Sequence, residues 1–86
     1  MKNVSQKFHH VYILQSINFV NKYYTGLTED ISERLLKHNE GGVKYTAPYK
    51  PWRIKTVISF TDKDKARDFE KYLKTQSGRA FAKKRL

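Results

Sequence analysis

The apolar positions of this chain fall into three short β-rich runs and two amphipathic stretches. His10 to Gln15 (HVYILQ) is a continuous apolar run of β-forming residues and predicts a buried strand. Asn18 to Lys22 carries turn residues at both ends, and Tyr23 to Leu27 (YYTGL) then predicts a second strand, giving an antiparallel hairpin. Gly26 implies a bulge or a close backbone approach near the end of that strand. Trp52 to Phe60 (WRIKTVISF) alternates and is rich in β-branched residues, which predicts a third strand.

Two helices separate these runs. The first is expected from near Asp30 to about Asn39, ending at Gly41-Gly42. Asp30 and Glu33 have the spacing of a capping box, and Thr28 is a competing cap. Val43 to Pro51 is a basic, aromatic loop containing both prolines. Thr61-Asp62-Lys63-Asp64 opens a second helix, with acids in the turn where the helix dipole favours them. It is expected to run to about Thr75 and break at Ser77-Gly78, before a short basic helical tail from Arg79 to Leu86. The order is ββαβα plus a short C-terminal helix. This predicts an α/β fold of the α+β type, a small three-stranded sheet flanked by helices. One domain, residues 1–86, is expected, with its core in 10–75 and a basic tail in 76–86.

With 86 residues, such a domain buries only about 60% of the surface its unfolded chain exposes. The chain has no cysteine, so neither disulfides nor thiolate zinc ligands supplement the core. Aromatic residues, 14% of the chain, supply large buried areas instead. The polar stretch Met1 to Lys7 and the lack of a long apolar run predict a cytoplasmic protein with no membrane contact. Eighteen Lys and Arg against eight Asp and Glu give a net charge of +10. That excess attracts polyanions and makes nucleic acid the favoured partner, though it also suits a solubility device or a ribosome-associated protein.

Helical phase brings candidate chemistry to the edge of each apolar face. With Ile31 at zero, Leu35 lies at about +40°, His38 at about −20° and Arg34 at about −60°. Arg34 and His38 thus border the apolar face, although a solvated arginine and a core-edge histidine account for the pattern more simply. With Ala66 at zero, Glu70 lies near +40°, the carboxylate closest to the packed face. Asp62 and Asp64 are explained by capping, Asp68 faces solvent, and Glu29, Asp30 and Glu33 sit at the first helix start. Glu70 alone has no structural task beyond a possible i,i+4 pair with Lys74. A lone carboxylate beside a positive surface suits a one-ligand Mg²⁺ site, because that ion keeps several waters and takes substrate phosphate. Tyr12 and Tyr24 are central in the two hairpin strands. Their hydroxyls can converge above the sheet, or they can be core aromatics, as can Tyr23 and Tyr72.

Val11-Tyr12-Ile13-Leu14, Tyr24-Thr25-Gly26, Arg34, His38 and Glu70 together resemble the GIY-YIG nuclease domain, in its order and spacing, from about His10 to Leu73. The resemblance is to the small stand-alone bacterial members. It implies a three-stranded antiparallel sheet flanked by helices and a divalent-metal-dependent endonuclease acting on DNA. It also implies roles. Tyr12 and Tyr24 would be the motif tyrosines, one of them positioning or deprotonating the attacking water. Arg34 would hold the scissile phosphate, His38 would assist proton transfer or orient a tyrosine, and Glu70 would bind Mg²⁺ or Mn²⁺. The chain departs from the motif at His10 (for glycine), Val11 (for isoleucine) and Thr25 (for isoleucine). His10 is expected to crowd a strand edge or alter substrate approach.

Lys44, Tyr45, Tyr49, Lys50 and Arg53 mix cations with aromatics after the first helix, and Arg79, Lys83, Lys84 and Arg85 add a basic tail. Such surfaces contact phosphates and stack on unpaired bases. The tyrosines and Trp52 can equally serve as core cover. The expected partner is DNA, branched or damaged, in repair or recombination. Specificity is expected from the DNA structure or a protein partner, the chain acting as a monomer or weak dimer. The alternative is a non-catalytic nucleic-acid-binding module that keeps the nuclease fold.

Overall fold

A computed structural model describes residues 7–86. The chain runs β1 (His9–Ser16), β2 (Tyr23–Thr28), α1 (Ile31–Asn39), a 3₁₀ turn (Ala47–Tyr49), β3 (Trp52–Phe60), α2 (Lys63–Leu73) and α3 (Gln76–Arg85). The three strands form one antiparallel sheet in the order β2-β1-β3, so β1 is the central strand. This is the α+β architecture the sequence predicts. The 3₁₀ turn, inside the expected loop, is the one additional element.

The central position of β1 explains its unbroken apolar run. A strand covered on both faces needs apolar side chains at every position. Val11 and Ile13 point to one face, where they pack with Ala66 and Leu73 of α2, and Ala82 and Leu86 join them from the C-terminal segment. Tyr12 and Leu14 point to the other face, against Trp52, Tyr24 and the α1 residues Ile31 and Leu35. Leu14 is fully buried. Truncating it to alanine would cost about 2–5 kcal/mol.

Local chemistry sets the element ends. The Asp30 side chain accepts from the Glu33 amide at 3.0 Å. The reciprocal half of the expected capping box is replaced by Thr28, whose hydroxyl accepts from the Asp30 amide at 3.1 Å. Helix α1 closes with Gly41 at φ +81°. Its amide donates to His38, and the Gly42 amide donates to Lys37, satisfying two end carbonyls. Asp62 caps α2 by accepting from the amides of Asp64 and Lys65. Asn39 then ties α1 to β3: its side chain accepts from the Trp52 amide at 2.6 Å and donates to the Trp52 carbonyl at 3.0 Å.

The C-terminal region differs from the sequence expectation. Helix α2 ends at Leu73, and Thr75 caps α3 by accepting from the Gly78 amide. Gly78 is therefore no helix breaker. It lies in the first turn of α3, where a Cβ would collide with the Tyr72 carbonyl. Gly78, Ala82 and Leu86 form an i,i+4 stripe that seats α3 on the core, and Thr56 donates to the Leu86 carbonyl at 3.0 Å. The cations of this segment face outward. No helix among the described residues is long and apolar enough to cross a membrane.

Candidate active site

Strand register brings Tyr12 opposite Gly26 and Leu14 opposite Tyr24. Cross-strand partners share a face, so both motif tyrosines lie on the α1 side of the sheet, with ring centroids 6.3 Å apart. The close approach anticipated at Gly26 is to a side chain. The Tyr12 ring lies over Gly26, where any Cβ would overlap its phenol end. Glycine here is what lets the tyrosine lie flat across the strand.

Tyr12 is almost wholly buried, and its hydroxyl lies 3.0 Å from His38 Nε2. His38 is fully buried, deeper than its edge-of-face phase implies, because the loop after α1 folds over it. Its Nδ1 is 2.7 Å from the hydroxyl of Thr46, also fully buried. Thr46 donates its single hydroxyl proton to the Val43 carbonyl at 3.2 Å. It must then accept from Nδ1–H, which leaves Nε2 bare to accept from the Tyr12 hydroxyl. The Trp52 indole donates to the Thr46 carbonyl at 2.9 Å and holds that loop in place.

Electrostatics favour the neutral ring that this tautomer requires. Burial, then Arg34, then Lys37 hold the His38 pKa below its usual 6.5, so the ring is neutral at pH 7. Burial and the neighbouring Tyr24 raise the Tyr12 phenol to about 12, against the lowering pull of Arg34; Glu70 adds a smaller upward push. Arg34 and Glu70 therefore both lie close enough to act on the Tyr12 hydroxyl. The Arg34 Nε is buried with no hydrogen-bond partner among the described residues.

Glu70 reaches the cluster from α2. Its side chain is only 16% exposed, and Lys74 Nζ sits 2.7 Å from it. Lys74 also lies 5.8 Å from the Tyr24 ring centroid, linking the carboxylate to the motif tyrosines. Glu70 thus comes near Tyr12, Tyr24, Arg34 and His38 from the helix that packs on the opposite face of the sheet. No group of three His, Asp or Glu residues among the described residues forms a metal cage. A single shielded carboxylate is instead the protein share suited to Mg²⁺ or Mn²⁺, which complete their shells with water and phosphate.

Other expectations divide. His10 crowds no edge, since β1 is central; its Nδ1 lies 2.7 Å from the Ser59 hydroxyl on β3. Trp52 is buried and Tyr49 partly buried, both as core cover. Tyr45 is 71% exposed, its ring 6.1 Å from that of Tyr24. Tyr23 and Tyr72 are not core residues, at 50% and 39% exposure. Lys44, Lys50, Arg53, Lys84 and Arg85 are exposed, and Arg53, in β3, donates to Gln15 at 2.6 Å. Tyr45, Arg79 and Lys83 line a groove beside the cluster. Thr46 and Asn39 were not legible as site supports. Only the fold of the loop brings Thr46, eight positions after His38, back to its ring.

A family model described as the GIY-YIG catalytic domain matches residues 8–85. A UPF0213 protein of Halobacterium salinarum is 39% identical over 59 residues, covering 67% of this chain and 74% of its own. UPF0213 protein BH0048 of Halalkalibacterium halodurans is 38% identical over 72 residues, covering 83% of this chain and 74% of its own. Among solved structures, the solution NMR structure of UPF0213 protein BH0048 from Bacillus halodurans is similar, with a TM-score of 0.53 and 32% identity. That match covers 87% of this chain and 81% of the other.

Proposed function

The chain belongs to the GIY-YIG catalytic domain family, and from that premise we propose that it is a divalent-metal-dependent endonuclease that hydrolyses DNA phosphodiester bonds. The observation that carries this reading is the buried Tyr12 hydroxyl, bonded to a neutral histidine and flanked by Arg34 and Glu70. A core tyrosine needs no such company.

The residues suggest how the work divides. A free Tyr12 phenolate is too rare to serve as a base, since a pKa of about 12 leaves about one molecule in 10⁵ ionised at pH 7. A relay avoids that intermediate. As the attacking water gives a proton to Tyr12 Oη, the phenol passes its own to His38 Nε2, so His38 is the net base. Arg34 binds the phosphate oxygens through its guanidinium and stabilises the charge that grows there. Glu70 would hold Mg²⁺ or Mn²⁺, whose contribution is to polarise the phosphate and favour departure of the 3′ oxygen. Tyr24 packs 4.9 Å from the His38 ring and holds that ring in place. Lys44, Lys50, Arg53, Lys84 and Arg85 add general attraction for the phosphate backbone. A role on branched or damaged DNA in repair or recombination, in the cytoplasm, completes the reading.

One observation favours the second reading, a binding module without catalysis: Lys74 already occupies Glu70 at 2.7 Å. A panel of nicked, flapped and branched DNA, assayed with and without Mg²⁺ or Mn²⁺, separates the two. Metal-dependent product that disappears in Arg34→Ala supports the nuclease. Salt-sensitive binding with no product under any condition supports the module.

A further inference from the structure

An open groove of about 790 Å³ adjoins the cluster and touches it only through Tyr24 and Lys74. It lies between the β2 side of the sheet and helix α3. Four cations line it (Lys55, Lys74, Arg79 and Lys83), and no lining residue is acidic. Its volume falls within the range of about 300–1,000 Å³ typical of ligand sites. Lys55 occupies the irregularity in β3 between the partners of Ile13 and Leu14, at residues 56 and 54.

The cations alone would suit any polyanion. The rings narrow the choice. Tyr45 and Tyr23 line the same groove and are 71% and 50% exposed. Gln15 Nε2 donates to the Tyr23 hydroxyl at 3.3 Å, fixing where that ring stands. In a duplex the base faces are covered by one another, so exposed rings beside phosphate-binding cations gain affinity only from bases that are unpaired. We infer that this groove holds an unpaired DNA strand leading away from the scissile phosphate. Its backbone follows Lys55, Arg79 and Lys83, and its bases stack on Tyr23 and Tyr45. The choice of DNA and the direction of the strand rest on the nuclease reading; the fit of the groove to an unpaired strand does not.

The test is fluorescence anisotropy of the full chain in EDTA with one labelled oligonucleotide, presented as single-stranded DNA, as duplex DNA and as single-stranded RNA of the same sequence. Single-stranded DNA should bind more tightly than duplex. Tyr45→Ala should weaken single-strand binding at least about fivefold and duplex binding by less than about twofold, while Tyr45→Phe keeps both. Arg79→Ala with Lys83→Ala should reduce the slope of log affinity against log salt by roughly 1.4. Duplex binding as tight as single strand, or equal losses on both in Tyr45→Ala, overturns the inference. Tighter binding of RNA overturns the assignment to DNA. Because no metal is present, single-strand preference without any metal-dependent cleavage leaves the groove standing and removes the nuclease reading. Cleavage without single-strand preference does the reverse.

Discussion

The Tyr12 hydroxyl lies 3.0 Å from His38 Nε2, a donor and an acceptor buried where β1 meets α1 and the loop that follows it. The relay proposed for this pair makes a pH prediction. Protonated His38 cannot accept, and its folded-state pKa is held below 6.5. Cleavage should therefore be level through neutral pH and decline only as pH falls below 6.5. A phenolate base would give a different profile, rising about tenfold per pH unit above neutrality toward the Tyr12 value of about 12. Single-turnover rates across pH distinguish the two.

Thr46 sets the His38 tautomer and touches no substrate. Thr46→Val leaves Nδ1–H buried without an acceptor, which costs about 1–3 kcal/mol of stability. Cleavage should fall about tenfold to hundredfold, within the share a positioned base supplies. Thr46→Ser should restore both. The ¹⁵N shifts of the ring give a readout that packing alone would not move: Nδ1 protonated in the wild type and in Thr46→Ser, and changed in Thr46→Val.

Two glycines are needed for space. Gly26→Ala drives a methyl into the Tyr12 phenol, a side-chain end that can yield, so the expected cost is about 1–3 kcal/mol. Gly78→Ala meets the Tyr72 backbone carbonyl, which cannot yield without moving α3. Urea unfolding should show Gly78→Ala as the more destabilised of the pair. Gly26→Ala should lose more activity than its stability explains.

In the proposed mechanism Lys74, paired with Glu70 at 2.7 Å, competes with a divalent cation for that carboxylate. Lys74→Met should lower the Mg²⁺ concentration needed for half-maximal cleavage. Stability should change by no more than about 1 kcal/mol, because the lysine is half exposed. An unchanged or higher metal requirement would place the ion elsewhere.

Much of this was legible where one physical constraint acts alone. The continuous run Val11 to Leu14 reports a strand covered on both faces, Asp62 reports a cap, and Gly41 reports a left-handed turn. The phases of Arg34 and Glu70 place them beside the core, where the fold has them. Reading failed where the tertiary fold reassigns a local signal. Gly78 carries a breaker's identity yet serves close helix packing, and Tyr23 sits in a strand yet stays half exposed. Thr46 has no periodicity to betray it, since its partner His38 lies across a loop whose path no spacing encodes.

The most direct measurement is metal-dependent cleavage of a flapped DNA by wild type and Glu70→Ala, with circular dichroism and thermal unfolding to establish that both are folded. The account predicts product from the wild type only when Mg²⁺ or Mn²⁺ is present. It predicts none from Glu70→Ala at any metal concentration, with the fold unchanged. Equal cleavage by the two proteins, at whatever rate, would contradict it.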